Sequence, residues 1–390
     1  MAYNWYARVV TIGLAIFAML FGAGNLIFPL RLGVHSGGHL ALTFGGFALG
    51  GILLPVLGLL AIVLYHGSYE DYFGTLGKRL GSIFIFCCMM IIGPFLVMPR
   101  IMALSYDMLY NYMPPMSVFV FSILFSSIAF LFTCRLGKVL DLVGNYLSPI
   151  KVAGLLFIVG TGLWYSPGVS RIAIDHWDLF KLSLVKGYGT LDLLATIFFG
   201  AIIVRLLTRY ADKSERIDMA DAIKLTTIAG LCAGGLLGVV YLGMIYLGSA
   251  YGEGLLALHE GKVFSTVALR ILGDNGAILV GLVVFIAGLV TVVSLTTVVG
   301  EYVNRLMPRR LTYVQAVIAV LLICSTIAST GLDNIIDYSE PFIAFFYPLI
   351  IVITVCNVLR KLVGFTYIRL PLAITAVCTA YYTLPWHWFL

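Results

Sequence analysis

The residues best suited to chemistry lie at 21–29, where the sequence reads Phe-Gly-Ala-Gly-Asn-Leu-Ile-Phe-Pro inside the first long apolar segment. A helix in lipid must satisfy its backbone N–H and C=O groups internally, so glycines, an amide and a proline at that depth predict an interrupted helix. Freed carbonyls and helix ends that face a cavity can bind ions and zwitterions. We therefore predict a transporter's binding site at Gly22, Ala23, Gly24 and Asn25. The alternative is that small residues here only allow close helix packing.

A second candidate break lies at 187–201, where Phe-Phe-Gly-Ala at 198–201 echoes Leu-Phe-Gly-Ala at 20–23. The two breaks lie five segments apart, in the first and the sixth apolar segment, which predicts two inverted repeats of five helices, with the binding site where the broken members meet. Close packing of small residues is again the alternative for Gly200. Asp192, near the start of this segment, is either a helix N-cap or an ion-linked carboxylate.

Arg100 is the one charged residue deep inside an apolar segment. A guanidinium isolated in lipid would cost several kcal/mol, so this side chain should face a partner or a water-filled cavity. A gating role and a structural ion pair both remain open.

Ala287, Thr291 and Ser294 share one helix face, because they are spaced three to four residues apart. A carbonyl and a hydroxyl on that face could complete a sodium shell together with carbonyls of the broken first helix, since hard cations prefer oxygen ligands. The alternative is that these hydroxyls bond to carbonyls of their own helix.

The elements that position these residues are membrane helices, because 61% of the 390 residues are hydrophobic, 11% are charged and the mean hydropathy is +1.04. Apolar segments of about 20 residues, enough to cross the hydrocarbon layer, occur eleven times in this single domain of residues 1–390. They lie near 9–30, 40–65, 82–106, 117–133, 147–165, 189–207, 223–248, 277–300, 312–331, 335–358 and 366–384. No loop is long enough for the nucleotide-binding segment of an ATP-driven pump, and no cluster of His, Asp or Glu suggests an enzyme.

The basic residues predict the orientation of these segments. Seventeen Lys and Arg lie in one set of alternate loops and six in the other, with Arg100 inside a segment. Cytoplasmic loops carry the excess of positive charge. This asymmetry places the N-terminus in the cytoplasm and, with eleven crossings, the C-terminus outside.

Six motifs in the same order along most of the chain resemble the bacterial branched-chain amino acid:cation symporter family. The motifs lie at 21–29, 45–62, 91–100, 143–156, 187–203 and 289–303. The resemblance implies a leucine-transporter-like fold with helices one and six broken. The first repeat would cover about 8–165, the second about 187–358, and an extra C-terminal helix about 366–384.

The resemblance also implies where a substrate would bind. The carboxylate of an amino acid would meet backbone amides around Gly22 and Gly24, and its ammonium group would meet carbonyls of an unwound stretch near Phe198 and Phe199. The apolar side chain would pack on nearby aromatic residues.

A sodium ion would take the carbonyls of Ala18, Phe21 and Ala287 and the hydroxyl of Thr291, and in some relatives a residue like Asn25 holds a second sodium. Four positions depart from the family pattern: Val290, Ile101, Leu30 in place of a second proline, and Ser294 in place of a glycine. Val290 stands where a threonine ligand is frequent, and Ile101 stands where threonine usually follows Pro-Arg. The first departure puts sodium dependence in question.

The expected protein is a symporter of the bacterial inner membrane that imports leucine, isoleucine and valine by alternating access, driven by sodium or protons. It would need no organic cofactor, catalyse no reaction and contact membrane lipid but no nucleic acid. The nearest alternative is a transporter of the same fold for another small neutral solute or amino acid. A channel or a substrate-binding sensor is the alternative of a different class.

Overall fold

The computed structural model describes residues 2–22, 24–134, 148–169, 174–211, 219–258, 260–308 and 310–383. Helices dominate these parts of the chain. In order they are α1 (Ala2–Leu20), α2 (Gly24–His35), α3 (Leu40–Ala48), α4 (Leu54–Leu64), α5 (Tyr69–Gly74), α6 (Lys78–Met90), α7 (Val97–Leu109), α8 (Val118–Thr133), α9 (Ser148–Trp164), α10 (His176–Tyr188), α11 (Asp192–Ala211), α12 (Met219–Tyr251), α13 (Glu260–Leu306), α14 (Tyr313–Ala328), α15 (Leu332–Val363) and α16 (Arg369–Thr383).

The first apolar segment is interrupted at its glycines. Helix α1 ends at Leu20 and α2 begins at Gly24, and the two axes differ by 72°. Ala23 lies outside the described residues. Pro29 lies within the second turn of α2, where its missing N–H removes one i→i−4 hydrogen bond of the helix.

A further irregularity precedes Arg100. Between α6 and α7 the chain forms a π-helical turn at Ile91–Phe95, in which Gly93 has non-helical angles (φ −89°, ψ −119°). Pro94 cannot donate a backbone hydrogen bond, and proline is a usual cause of such helix kinks. The kink separates two straight helices, and Arg100 lies in the first turn of the second.

Small residues let the helices around the two breaks approach closely. An added Cβ at Gly33 of α2 would lie 2.1 Å from the Ile245 carbonyl of α12, and one at Gly248 would lie 2.0 Å from the Leu30 carbonyl. An added Cβ at Gly187 of α10 would lie 2.7 Å from the Phe47 carbonyl of α3, which is also too close for a side chain. Backbone-to-backbone contacts of this kind hold membrane helices together where hydrophobic burial cannot.

Within the described residues, six helical stretches are long and apolar enough to cross a membrane, and the bent α1–α2 pair, counted as one span, makes a seventh. Three apolar helices are shorter: α8, α14 and residues 152–164 of α9. The protein is thus an all-helical, multi-pass membrane protein. The count of eleven spans and the two inverted repeats stay predictions.

The two longest stretches between the predicted apolar segments that the structure describes, near 167–187 and 249–276, contain helix. The first includes α10, whose N-terminus is capped by the Asp175 carboxylate accepting from the N–H groups of Trp177 and Asp178. The second includes the start of α13, which bends at Gly273 with φ +67°. Hydropathy misses such helices because charged residues interrupt their apolar runs.

Candidate substrate and ion site

Asn25 links the two helix breaks. Its side-chain amide Nδ2 donates to the Leu20 carbonyl at 2.7 Å and to Asp192 Oδ2 at 2.9 Å. Leu20 is the last residue of α1 and Asp192 the first of α11. Asn25 is fully buried and Asp192 is 3% exposed, so this connection lies in the protein interior. One amide therefore joins the first helix end to the second break.

Arg100 reaches the second break from the opposite side. Its Nη2 donates to the Gly189 carbonyl at 3.0 Å, and its guanidinium lies 5.3 Å from the centre of the Phe28 ring. Arg100 is 2% exposed. Gly189 precedes the non-helical residues Thr190 and Leu191, and Leu191 has a φ of +62°. The guanidinium thus has a polar partner, as a buried charge requires.

An inner cavity of about 10 Å³ lies between the two breaks, with room for about one water molecule. Its lining combines opposite charges with apolar side chains: Met19, Leu20, Gly22, Gly24, Val97, Arg100, Ile101, Thr190, Leu191, Asp192, Ala195, Thr291 and Leu295. The C-terminal end of α1 carries partial negative charge and the N-terminal end of α2 partial positive charge. These features together match a small zwitterion with an apolar side chain.

An outer cavity of about 300 Å³ also has Arg100 in its wall. It is lined by Phe28, Arg100, Val185, Lys186, Tyr188, Gly189, Ile336, Ser339, Glu340, Ile343, Ala344, Tyr347 and Pro348. Lys186 lies over the same Phe28 ring as Arg100, at 5.2 Å. Beyond it, a charged pocket of about 380 Å³ includes Arg31, Lys186, Asp333, Asp337 and Glu340. Arg100 therefore borders both the inner and the outer cavity.

Three of the four residues proposed as sodium ligands meet around one hydroxyl. Thr291 Oγ1 lies 3.4 Å from the Phe21 carbonyl and 3.2 Å from the Ala287 carbonyl. Ala18, the fourth, is fully buried one turn before Phe21. The Thr291–Ala287 hydrogen bond lies within one helix, as the alternative interpretation expects of these hydroxyls. Ser294 likewise donates to a carbonyl of its own helix, that of Val290, at 2.9 Å.

The predicted unwinding near Phe198 and Phe199 is wrong. Both residues lie within α11, whose helix runs from Asp192 to Ala211, so their carbonyls belong to a regular helix. The break lies instead at 189–191. An added Cβ at Gly200 would lie 2.1 Å from Ile62 Cγ2. Close packing against α4, the alternative considered from the sequence, accounts for this glycine.

Two tyrosines belong to this region although no sequence motif identifies them as site residues. The Tyr241 hydroxyl faces Asn25 and Asp192, and Tyr347 faces Asp192 and borders the outer cavity. Both rings are buried, and the Tyr347 hydroxyl also faces the Leu193 backbone. Each lies in a long apolar helix, where a tyrosine is common at any depth, so only the packing of α12 and α15 identifies them.

Comparison with known proteins assigns the chain to a family. The family model for "Branched-chain amino acid transport protein" matches residues 6–384. The chain belongs to that family. It is 32% identical over 364 residues to the branched-chain amino acid permease BraB of Bacillus subtilis, covering 90% of this chain and 80% of the permease. The resemblance inferred from the motifs is thus confirmed, and relatives named as permeases support a transporter rather than an enzyme.

Solved structures resemble this transporter in fold. MhsT, solved in complex with L-phenylalanine, matches with a TM-score of 0.61 and 16% identity, covering 96% of this chain and 98% of that one. The manganese transporter of Eremococcus coleocola matches with a TM-score of 0.63 and 14% identity, covering 97% of this chain and 86% of that one. At these identities the likeness concerns the leucine-transporter-like fold alone.

Proposed function

We propose that this protein imports leucine, isoleucine and valine across the bacterial inner membrane. The observation that carries the proposal is the inner cavity, which combines a buried cation, Arg100, with a buried carboxylate, Asp192, between two helix ends. The α2 N-terminus and Arg100 would hold the substrate's carboxylate near Gly24. An added Cβ at Gly24 would lie 3.3 Å from Arg100 Nη2, so glycine keeps this space open.

The apolar part of the cavity suits a branched side chain. It consists of Met19, Val97, Ile101, Ala195 and Leu295. Four of these side chains lack any hydrogen-bonding group and the fifth is a thioether, so a polar or charged substrate side chain would lose its hydration without compensation. Relatives named as branched-chain amino acid permeases support the same substrate class.

The sizes of the two cavities support transport by alternating access. The inner cavity, at about 10 Å³, cannot hold leucine, whereas the outer cavity, at about 300 Å³, can. Arg100 and Phe28 stand between them, so substrate would reach the centre only when helices around this partition move. The charge pattern of the loops supports an external position for the outer cavity.

The side opposite the outer cavity is held by a buried hydrogen-bond network. Tyr65 donates to Asn357 Oδ1 at 3.0 Å, and Asn357 Nδ2 donates to the Tyr72 carbonyl at 3.0 Å. The Tyr72 and Thr354 hydroxyls are 2.7 Å apart. These bonds attach α15 to α4 and α5, and inward release of substrate would require this network to open.

Sodium or protons would drive the transport. The oxygens around Thr291 support sodium, and the buried carboxylate of Asp192 supports protons. Either ion can contribute no more energy than the difference between its affinities for the two conformations.

Uptake of radiolabelled leucine into proteoliposomes tests the proposal. We expect accumulation against the leucine gradient when a sodium or a pH gradient is imposed, with competition by isoleucine and valine. Collapse of accumulation by an ionophore would distinguish coupled transport from a channel or a sensor. Accumulation that other neutral amino acids inhibit equally well would favour the alternative substrate class, and no uptake under either gradient would refute the assignment.

A further inference from the structure

Three carbonyls at the two breaks already accept hydrogen bonds from side chains of the protein. They are the carbonyls of Leu20, Phe21 and Gly189, which accept from Asn25, Thr291 and Arg100. The carbonyls near Phe198 and Phe199 lie inside a regular helix. An ammonium group brings three N–H donors, and its strongest protein partner is a carboxylate.

Among the residues lining the inner cavity, Asp192 carries the carboxylate. It is 3% exposed and begins α11 directly after the second break. Its Oδ2 accepts from Asn25 at 2.9 Å. A carboxylate offers about four acceptor positions on its two oxygens, so it can accept from an ammonium group as well as from Asn25.

We infer that Asp192 binds the ammonium group of the transported amino acid. This inference rests on the proposed function and names the chemistry of the same cavity. The substrate's carboxylate then points to Arg100 and the N-terminus of α2, and its ammonium group points to Asp192 and the electronegative end of α1. Each substrate charge lies opposite a buried protein charge, and recognition of the α-amino group depends chiefly on the Asp192 side chain, to which the α1 end adds partial negative charge.

The test compares leucine with 4-methylpentanoate, which is leucine without its amino group. Binding to purified wild-type and Asp192→Asn protein is measured as the ligand-dependent rise in melting temperature over a concentration series. Truncating one partner of a buried charge pair typically weakens binding by about 30-fold or more. We expect the wild type to prefer leucine by at least that factor, and the preference to fall below about threefold in Asp192→Asn.

A preference for leucine that survives in folded Asp192→Asn overturns the inference, whether both affinities are kept or both fall equally. The second case would make Asp192 a structural residue. The matched control is Asp178→Asn, because Asp178 is an exposed acid on α10 that pairs with Lys181 at 2.7 Å. This control should leave the preference unchanged.

A second variant keeps the inference testable if Asp192→Asn does not fold. Asp192→Glu retains the carboxylate, and we expect it to keep at least a tenfold preference for leucine. Folded Asp192→Glu protein that binds both ligands equally overturns the inference. Wild-type protein that binds neither ligand would instead refute the proposed function and, with it, this assignment.

Discussion

The tripeptide Phe-Gly-Ala occurs twice and begins two different structures. At 21–23 it follows the last residue of α1, where the chain turns by 72° into α2. At 199–201 it lies inside α11, which continues to Ala211. The same three letters thus end a helix in one place and extend a helix in the other. The tripeptide alone does not break a helix.

The neighbours of each glycine explain the difference. An added Cβ at Gly22 would lie 3.7 Å from the Thr291 methyl group, an ordinary contact, whereas one at Gly200 would lie 2.1 Å from Ile62 Cγ2. After the first tripeptide, Asn25 satisfies the Leu20 carbonyl that the helix leaves open. The second tripeptide is followed by apolar residues that continue the helix. Glycine serves helix packing at the second site and, under the proposed function, leaves room for the substrate at the first.

The largest expected effect comes from filling the first site. In Gly24→Leu the new side chain would start 3.2 Å from Phe28 and Thr190 and 3.3 Å from Arg100. Overpacking costs about 1–3 kcal/mol, so leucine uptake should weaken by up to about 100-fold in folded protein. Measured uptake should stay normal in Gly235→Leu, because nothing lies within 4 Å of that glycine. Normal uptake by Gly24→Leu would remove the first break from the substrate site.

The next largest effect is expected from removing the Asn25 amide, which stabilises the first break. Asn25→Ala removes the donor shared by the Leu20 carbonyl and Asp192, and a buried acceptor left without a donor costs about 1–3 kcal/mol. We expect a rise of about tenfold in the leucine concentration for half-maximal uptake. Asn334→Ala is the control, since this exposed amide bonds only to the Thr330 carbonyl at the surface. Unchanged uptake in Asn25→Ala would mean that the first break holds its shape without this amide.

A substitution at Gly200 should lower stability and leave uptake unchanged. Gly200→Ala would lower the free energy of unfolding by about 1–3 kcal/mol through the clash with Ile62, while uptake per folded molecule stays normal. Thermal unfolding and uptake of the same preparation check both parts. Adding Ile62→Ala should recover part of the lost stability. A stable Gly200→Ala protein without uptake would indicate that Gly200 belongs to the substrate site.

The smallest effect concerns the ion near the first break. Thr291→Val removes the hydroxyl between the Phe21 and Ala287 carbonyls. A single neutral hydrogen-bonding group contributes about 0.5–1.5 kcal/mol. The sodium concentration for half-maximal uptake should therefore rise about two- to tenfold. Ser294→Ala, which removes a hydroxyl bonded to Val290 in its own helix, should leave the sodium curve in place. An unchanged curve in Thr291→Val, or wild-type uptake without sodium, would discard this ligand.

The sequence predicted the site unevenly. It located the first break, because two glycines, an amide and a proline are difficult to accommodate in an unbroken helix at membrane depth. It identified Arg100 as a buried charge that needs polar surroundings, and its motifs identified the family. Its candidate range of 187–201 contains the second break at 189–191, but the unwound carbonyls implied near Phe198 and Phe199 lie about ten residues too late, since Gly-Ala pairs break a helix and pack a helix equally well. Tyr241 and Tyr347 carried no signal at all.

The sequence by itself determined that this is a membrane protein, which family it belongs to and which residues are costly to bury in lipid. Each of these depends on local composition and on the free energy of burying polar groups. Only the tertiary structure decided which of those residues meet. Asn25 and Asp192 are 167 positions apart in the chain, and Arg100 and Gly189 are 89 apart. Such pairs form because rigid helices pack through glycine contacts far from the site, and no local pattern records that geometry.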